Sequence, residues 1–164
     1  CFALDTQGLG HFMGHGVVSR RIADGVMDRL RLDNAAKERI GELVEWHDHR
    51  VETERGIRRM LNRFGERNFR YLLAIQRADN MGQAEEFRGR QKEIDRIEAM
   101  LDRELEKGSC FSLKQLAVNG NDLLGLGLSG PAVGRTLQGL LDQVMDGTLP
   151  NDRDALLTAA GKIR

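Results

Sequence analysis

The sequence predicts an all-α protein, and three observations support that prediction. Apolar residues recur three and four positions apart along most of the chain, which is the spacing of an amphipathic helix. No stretch shows the alternation of apolar and polar residues that is typical of a half-buried strand. Only two prolines and few β-branched residues occur among the 164 residues. Hydrophobic residues amount to 40% and charged residues to 30%, a composition that favours a buried core over general disorder.

The first two helices are predicted between residues 15 and 49. The first begins near His15, and its apolar residues are four positions apart: Val18, Ile22, Val26 and Leu30. Asp33 or Asn34 is a suitable cap for the second helix, because either side chain accepts hydrogen bonds from free backbone N–H groups. This second helix is expected to end near His49, and its inward face carries Ile40, Leu43, Val44 and His47.

Two further helices are predicted on either side of Gly65. The first is short and ends at Gly65, because glycine readily adopts the left-handed conformation that follows a helix. Its apolar residues are Ile57, Met60, Leu61 and Phe64. The second extends to Asp79, and its inward-facing residues are Phe69, Leu72, Leu73 and Gln76.

The longest helical pattern covers residues 83–107, with an apolar stripe of Phe87, Ile94, Ile97, Met100, Leu101 and Leu105.

After Gly108 the sequence becomes richer in glycine and poorer in charge. Four short helices are predicted here. The first begins near Ser112, and the second extends from about Asn121 to Gly125. The third extends from Pro131 to Asp146, and the fourth extends from a cap at Asn151 to Ala160. Pro131 suits the first helical position because its φ angle is fixed and it needs no backbone donor. The change in composition predicts two domains, a helical bundle over 1–107 and a smaller helical subdomain over 108–164.

Composition limits the classes of function. Lys and Arg number 25, and so do Asp and Glu, so a nucleic-acid surface would have to be local. No apolar run approaches the roughly 18 residues that cross a bilayer, and no secretory signal is visible. Cys1 and Cys110 lack the spacing of a zinc or redox motif, which favours the cytoplasm. No nucleophile motif, and therefore no catalytic residue, is predicted. Because the chain begins at Cys1, we expect it to be a fragment.

Histidine and aspartate side chains suggest a metal site. His15, His47 and Asp79 lie on three predicted helices and are ligand types suited to Mn²⁺, Fe²⁺, Ni²⁺ or Zn²⁺, and to Mg²⁺ where carboxylate dominates. The alternative is that they are capping groups and satisfied polar groups of the core. The spacing of these residues leaves both readings open.

Arginines are concentrated between Arg50 and Arg77, where eight of them face only three glutamates. A row of guanidinium groups there would follow the phosphate backbone of a nucleic acid without reading its sequence. The candidate residues for this contact are Arg58, Arg59, Arg63, Arg67 and Arg70. The alternative is a solvated helix face balanced by neighbouring acids. Trp46 and Tyr71 are expected to be buried, so no base-stacking platform is predicted.

The glycine-rich segment 119–141 ends in a helix that begins with the sequence GPAVG. Free N–H groups at such a helix start attract anions, and Arg135 one turn later would add charge. The segment contains neither a phosphate-binding GK[ST] motif nor a dinucleotide fingerprint. The alternative, which the spacing favours somewhat, is tight packing between helices that requires small residues.

Taken together, these stretches resemble a known family. The segment GLGHFMGHGVVSRRIADGVMDRLRLDN resembles the part of the HD domain that follows the His-Asp dyad in bacterial CCA-adding tRNA nucleotidyltransferases and related poly(A) polymerases. LVEWHDHR and YLLAIQRADNMGQ resemble its next histidine-bearing and aspartate-bearing helices. The most specific similarity is in the tail, where NGNDL and GLGLSGPAVG match the family pattern.

The resemblance implies a division of labour. In the family, a head that this sequence lacks performs Mg²⁺-dependent nucleotidyl transfer, and the helical body and tail hold the tRNA. The sequence is therefore expected to be a tRNA-binding body and tail that is inactive alone, with tRNA and nucleotides as partners of the parent enzyme. His15, His47 and Asp79 match the family's remaining metal positions; without the dyad, the implied site for Mn²⁺, Ni²⁺ or a similar ion is incomplete.

An alternative function is a metal-dependent phosphohydrolase of the HD superfamily. Such an enzyme would act on phosphate esters or cyclic nucleotides, with His15, His47 and Asp79 as ligands beside an upstream dyad. A third possibility is a helical scaffold that has lost both activities.

Overall fold

The computed structural model describes residues 2–4, 10–12, 14–83 and 85–162, with seven α-helices among them. The helices are α1 His15–Arg29, α2 Asn34–Trp46, α3 Glu54–Gly82, α4 Gln91–Glu106, α5 Gly120–Gly125, α6 Pro131–Met145 and α7 Arg153–Gly161. Short 3₁₀ helices cover Glu85–Arg90 and Leu113–Gln115. The all-α prediction is confirmed. The sequence did not predict the small antiparallel hairpin of β1, Phe2–Leu4, and β2, Gly10–Phe12.

The chain forms two compact units that each combine separate parts of the sequence. The first unit contains residues 1–50 and 66–96, and the second contains residues 51–65 and 97–164. The chain therefore passes between units after residues 50, 65 and 96. The domain boundary predicted between residues 107 and 108 rests on a change in composition, and it stays a prediction. None of the helices that the structure describes combines the length and apolar character needed to span a membrane.

In the first unit, α1 and α2 pack closely against each other. A side chain at Gly16 would overlap the backbone carbonyl of Glu45, so this crossing requires glycine. Asp33, one of the two predicted candidates, is the cap of α2, and its carboxylate accepts a hydrogen bond from the Ala36 N–H at 2.9 Å. An ion pair of 2.9 Å between Arg20 and Glu45 also joins the two helices.

The apolar stripe of α1 faces solvent. Ile22 is 65% exposed and Leu30 is 66% exposed, and Met27 is the buried residue of this helix. The four-residue spacing correctly places the stripe residues on one face of the helix, but spacing carries no information about what covers that face.

Helix α3 changes direction at Gly65, where φ is 68° and ψ is 167°. This region of backbone space is essentially restricted to glycine, so the predicted interruption at Gly65 is confirmed even though helix continues on both sides. After Gly65, the residues predicted to point inward are all at most 3% exposed: Phe69, Leu72, Leu73 and Gln76.

In the second unit, an apolar core is formed by residues of α5, α6, α7 and the segment before α5. Asn119 and Asp122 form a capping box at the start of α5. Asp152 caps α7, so the expectation that Asn151 would do so was wrong. The Asn151 side chain instead bonds the backbone of Ala117 and Gln115, at 2.9 and 2.8 Å. Cys110 is a buried free thiol, and burial raises its pKa; Cys1 lies outside the described residues.

Candidate functional site

Two of the three predicted metal ligands lie side by side in the first unit. The Nε2 atoms of His15 and His47 are 3.1 Å apart, and the rings meet edge to face. The Nδ1 atom of His47 is 2.7 Å from the carbonyl oxygen of Val44. Because a carbonyl can only accept, Nδ1 carries a proton and Nε2 is left with a lone pair when the ring is neutral. That tautomer is also the one that a metal ligand would need.

Asp79 is not grouped with the two histidines in the described part of the structure. Its carboxylate accepts a hydrogen bond from the Gln83 amide at 3.2 Å, and the residue is exposed. Throughout the described ranges, no three His, Cys, Asp or Glu side chains are grouped so that they could hold an ion. The structure thus brings His15 and His47 together without grouping Asp79 with them among the described residues, and the metal site formed by the three stays a prediction.

Arg58 is the most enclosed of the predicted RNA-binding arginines. Its Nη1 atom donates to Glu104 at 2.7 Å, and its Nε atom donates to the carbonyl oxygen of Met145 at 2.7 Å. Glu104 is fully buried and also accepts a bond from Lys107 at 3.1 Å. Burial alone would raise the pKa of Glu104, but the hydrogen bonds from Arg58, Lys107 and Ser109 lower it below its usual value. Arg58 is therefore a structural group of the second unit.

Arg59 and Arg63 are exposed residues on the first part of α3. Arg59 forms a 2.7 Å ion pair with Asp146 and approaches Asp142 to 3.8 Å. The hydrogen bond from Arg59 is the main reason that the pKa of Asp146 is lowered. The guanidinium of Arg63 lies 5.5 Å from the centre of the Phe64 ring. The side chain of Arg59 is 44% exposed and that of Asp146 is 22% exposed.

Arg67 and Arg70 belong to the first unit, on the second part of α3. Arg70 forms an exposed 3.0 Å ion pair with Glu66, four positions earlier. Arg67 donates through Nε to the Tyr71 hydroxyl at 3.2 Å and lies 5.5 Å from the centre of the tyrosine ring. Tyr71 is 43% exposed, so the expectation that it would be buried was wrong.

The glycine-rich start of α6 fully supports neither of the two interpretations of its sequence, anion binding and tight packing between helices. The N–H groups of Ala132 and Val133 bond the carbonyls of Ser129 and Gly130, at 3.3 and 3.2 Å, and so are not free for an anion. A side chain at Gly134 would meet no atom within 4 Å, so tight packing does not explain that glycine. Arg135 is exposed, and the described part of the chain supplies no hydrogen bond or ion pair to it.

The tail motif NGNDL has a structural role that the sequence interpretation missed. Asp122 accepts a hydrogen bond from the Asn119 N–H at 2.8 Å and forms a 2.6 Å ion pair with Arg153 of α7. The bond from Arg153 is the main cause of the lowered pKa of Asp122. An Asn followed three residues later by an acidic residue is similar to the capping-box signal, which usually has Glu or Gln at that position, whereas the partner on α7 could not be identified from spacing.

Comparisons with known proteins match most of the chain to one family. A family model described as tRNA nucleotidyltransferase domain 2 matches residues 17–160. A CCA-adding enzyme of Limosilactobacillus fermentum is 48% identical over 50 residues, which are 30% of this chain and 12% of that enzyme. The chain thus matches only a small part of that relative's length. No solved structure matches the chain.

Proposed function

The chain belongs to the tRNA nucleotidyltransferase domain 2 family, and on this basis we propose that it is the tRNA-binding body and tail of a CCA-adding enzyme. The observation that carries the proposal is the family match over residues 17–160. The similarity to a CCA-adding enzyme favours this activity for the parent protein. We assign nucleotide addition, with its divalent metal, to residues of the parent enzyme outside this sequence, and no step of the proposal passes through a metal held here.

The proposed RNA contacts are electrostatic, and each belongs to one unit. In the second unit, Arg135 offers an exposed guanidinium that no carboxylate of the described residues neutralises. Arg59 and Arg63 are the further candidates of this unit. In the first unit, Arg67 and Arg70 are the candidates. Such side chains bind phosphates of an A-form stem, which proteins recognise mainly by its shape and backbone.

Arg58 takes no part in this surface. Moving its guanidinium to an RNA phosphate would leave the buried carboxylate of Glu104 without its strongest partner, which is costly. The zero net charge of the sequence agrees with a local binding surface, because the positive side chains involved are few.

We expect the chain to bind a tRNA transcript with an affinity that falls steeply with salt. If about three of the five candidate arginines contact phosphates, a rise from about 50 to 200 mM salt should weaken binding roughly 30-fold, because each contact releases counterions from the RNA. Fluorescence anisotropy with labelled tRNA measures both affinities. Equal affinity at the two salt concentrations, or no binding at low salt, would contradict the proposal.

Arg135→Gln should weaken tRNA binding several-fold at low salt and reduce the salt dependence by about one contact. The matched control is Arg103→Gln, because Arg103 is also exposed and has no ion pair among the described residues. Both variants change the net charge by the same amount. If the two lose the same affinity, the effect is one of overall charge and Arg135 is not a specific contact.

A further inference from the structure

The second part of helix α3 carries a row of side chains that are not buried in the core. Tyr71 is 43% exposed and Ile75, one turn later, is 38% exposed. Their neighbours Phe69, Leu72 and Leu73 are at most 1% exposed and form the core face of the same helix. The helix therefore buries one apolar face and presents a second, smaller one, with Arg67 one turn before Tyr71.

Arg67 brings an uncompensated positive charge to this row. Its Nε atom donates to the Tyr71 hydroxyl at 3.2 Å, and its guanidinium lies 5.5 Å from the ring centre. Within the described ranges it has no carboxylate partner, in contrast to Arg70, which is paired with Glu66. A guanidinium has five N–H donors, and the contact with Tyr71 occupies one of them.

An aromatic ring, a guanidinium with unused donors and an adjacent apolar side chain together suit one class of ligand. Unpaired nucleotides stack on aromatic rings and on arginine planes, while their phosphates accept hydrogen bonds from arginine. The bases of an intact duplex are already stacked on one another and present only their edges and backbone. An acidic peptide would use the charge but would gain little from the ring.

We propose that Arg67 and Tyr71 bind an unpaired nucleotide of the RNA, with the base against the Tyr71 ring and the phosphate on the free donors of Arg67. The inference rests on the proposed RNA-binding function and adds a preference for single-stranded RNA. It assigns to Tyr71 a role that a phosphate-binding surface alone does not require.

The test compares two RNAs, a blunt duplex and the same duplex with a four-nucleotide 3′ overhang. The wild-type chain should bind the overhang duplex more tightly than the blunt duplex. Tyr71→Leu should weaken that binding about tenfold, as expected for the loss of one base–aromatic stack, and should leave the blunt duplex within about twofold. Tyr71→Phe keeps the ring and should retain most of the preference. Circular dichroism confirms that each variant remains folded.

The outcomes separate this inference from the proposed function. If the chain binds both RNAs equally and Tyr71→Leu changes neither affinity, the inference is overturned and the proposed function stands. An equal loss on both RNAs also overturns it, because the ring then contributes to general binding. If neither RNA binds, the proposed function fails as well. Displacement of the overhang RNA by polyglutamate as readily as by a single-stranded oligonucleotide would show an acidic-peptide site instead.

Discussion

Replacing Glu104 with glutamine is expected to lower the free energy of unfolding by about 3 kcal/mol at pH 7, because it breaks a buried ion pair and leaves the other charge uncompensated. The Glu104 side chain is 1% exposed and that of Arg58 is 17% exposed. Glutamine keeps the size of the side chain, so the loss reports the charge and not a cavity. Urea denaturation followed by circular dichroism measures the difference.

Glu106→Gln is the matched control, since Glu106 lies on the same helix but is exposed. Surface changes of this kind usually alter stability by no more than about 0.5 kcal/mol. Similar losses in the two variants would contradict a special role for the buried pair.

Acid should remove the contribution of Glu104. Its pKa is lower in the folded protein than its ordinary value of 4.5, so its contribution is complete above that value and is lost as the pH falls through the folded pKa. The difference in free energy of unfolding between the wild-type protein and Glu104→Gln should therefore shrink on acidification. Denaturation curves at neutral and acidic pH measure this, and a difference that stays constant into strong acid would contradict it.

Leu123→Ala is expected to cost about 3 kcal/mol of stability, within the usual range for truncating a buried leucine. Leu123 is 0% exposed and lies in the apolar core of the second unit, on α5. The adjacent Leu124 is 53% exposed, so Leu124→Ala removes the same atoms from the same short helix with little loss of packing.

Thermal and urea denaturation of the two variants should therefore differ strongly, with Leu124→Ala close to the wild-type protein. A comparable loss in both would indicate that the face of α5 carrying Leu124 is covered in solution. The pair thus also examines whether the exposed side of α5 is free.

Local sequence signals predicted most of the helices, although the α-helix expected over 83–107 begins only at Gln91, after a 3₁₀ helix. The spacing of Phe69, Leu72 and Leu73 identified a buried face correctly, and side-chain chemistry limited the cap of α2 to Asp33 or Asn34, of which Asp33 is the one used. Gly65 was recognised because few residues tolerate its backbone conformation. Each of these features depends on atoms only a few residues apart, so the sequence contains the required information.

Features that depend on distant residues were harder to predict. The row of arginines was visible in the sequence, but the partner of Arg58 is Glu104, 46 positions later, and only the structure shows that this charge is internal. Likewise, Tyr71 was expected to be buried but is 43% exposed, and its exposure depends on how the neighbouring elements pack. His15 and His47 do approach each other, whereas no spacing rule determined where Asp79 would lie.

The interleaving of the two units has a consequence for synthesis of the protein. Residues 51–65 leave the ribosome before residues 97–164, with which they form one unit. About 30 residues separate the two segments. At about 5–20 residues per second, Ile57 and Leu61 are therefore synthesised several seconds before the segment with which they form one unit. Nascent chains paused in this interval should therefore be more sensitive to protease and more dependent on chaperones than the finished protein.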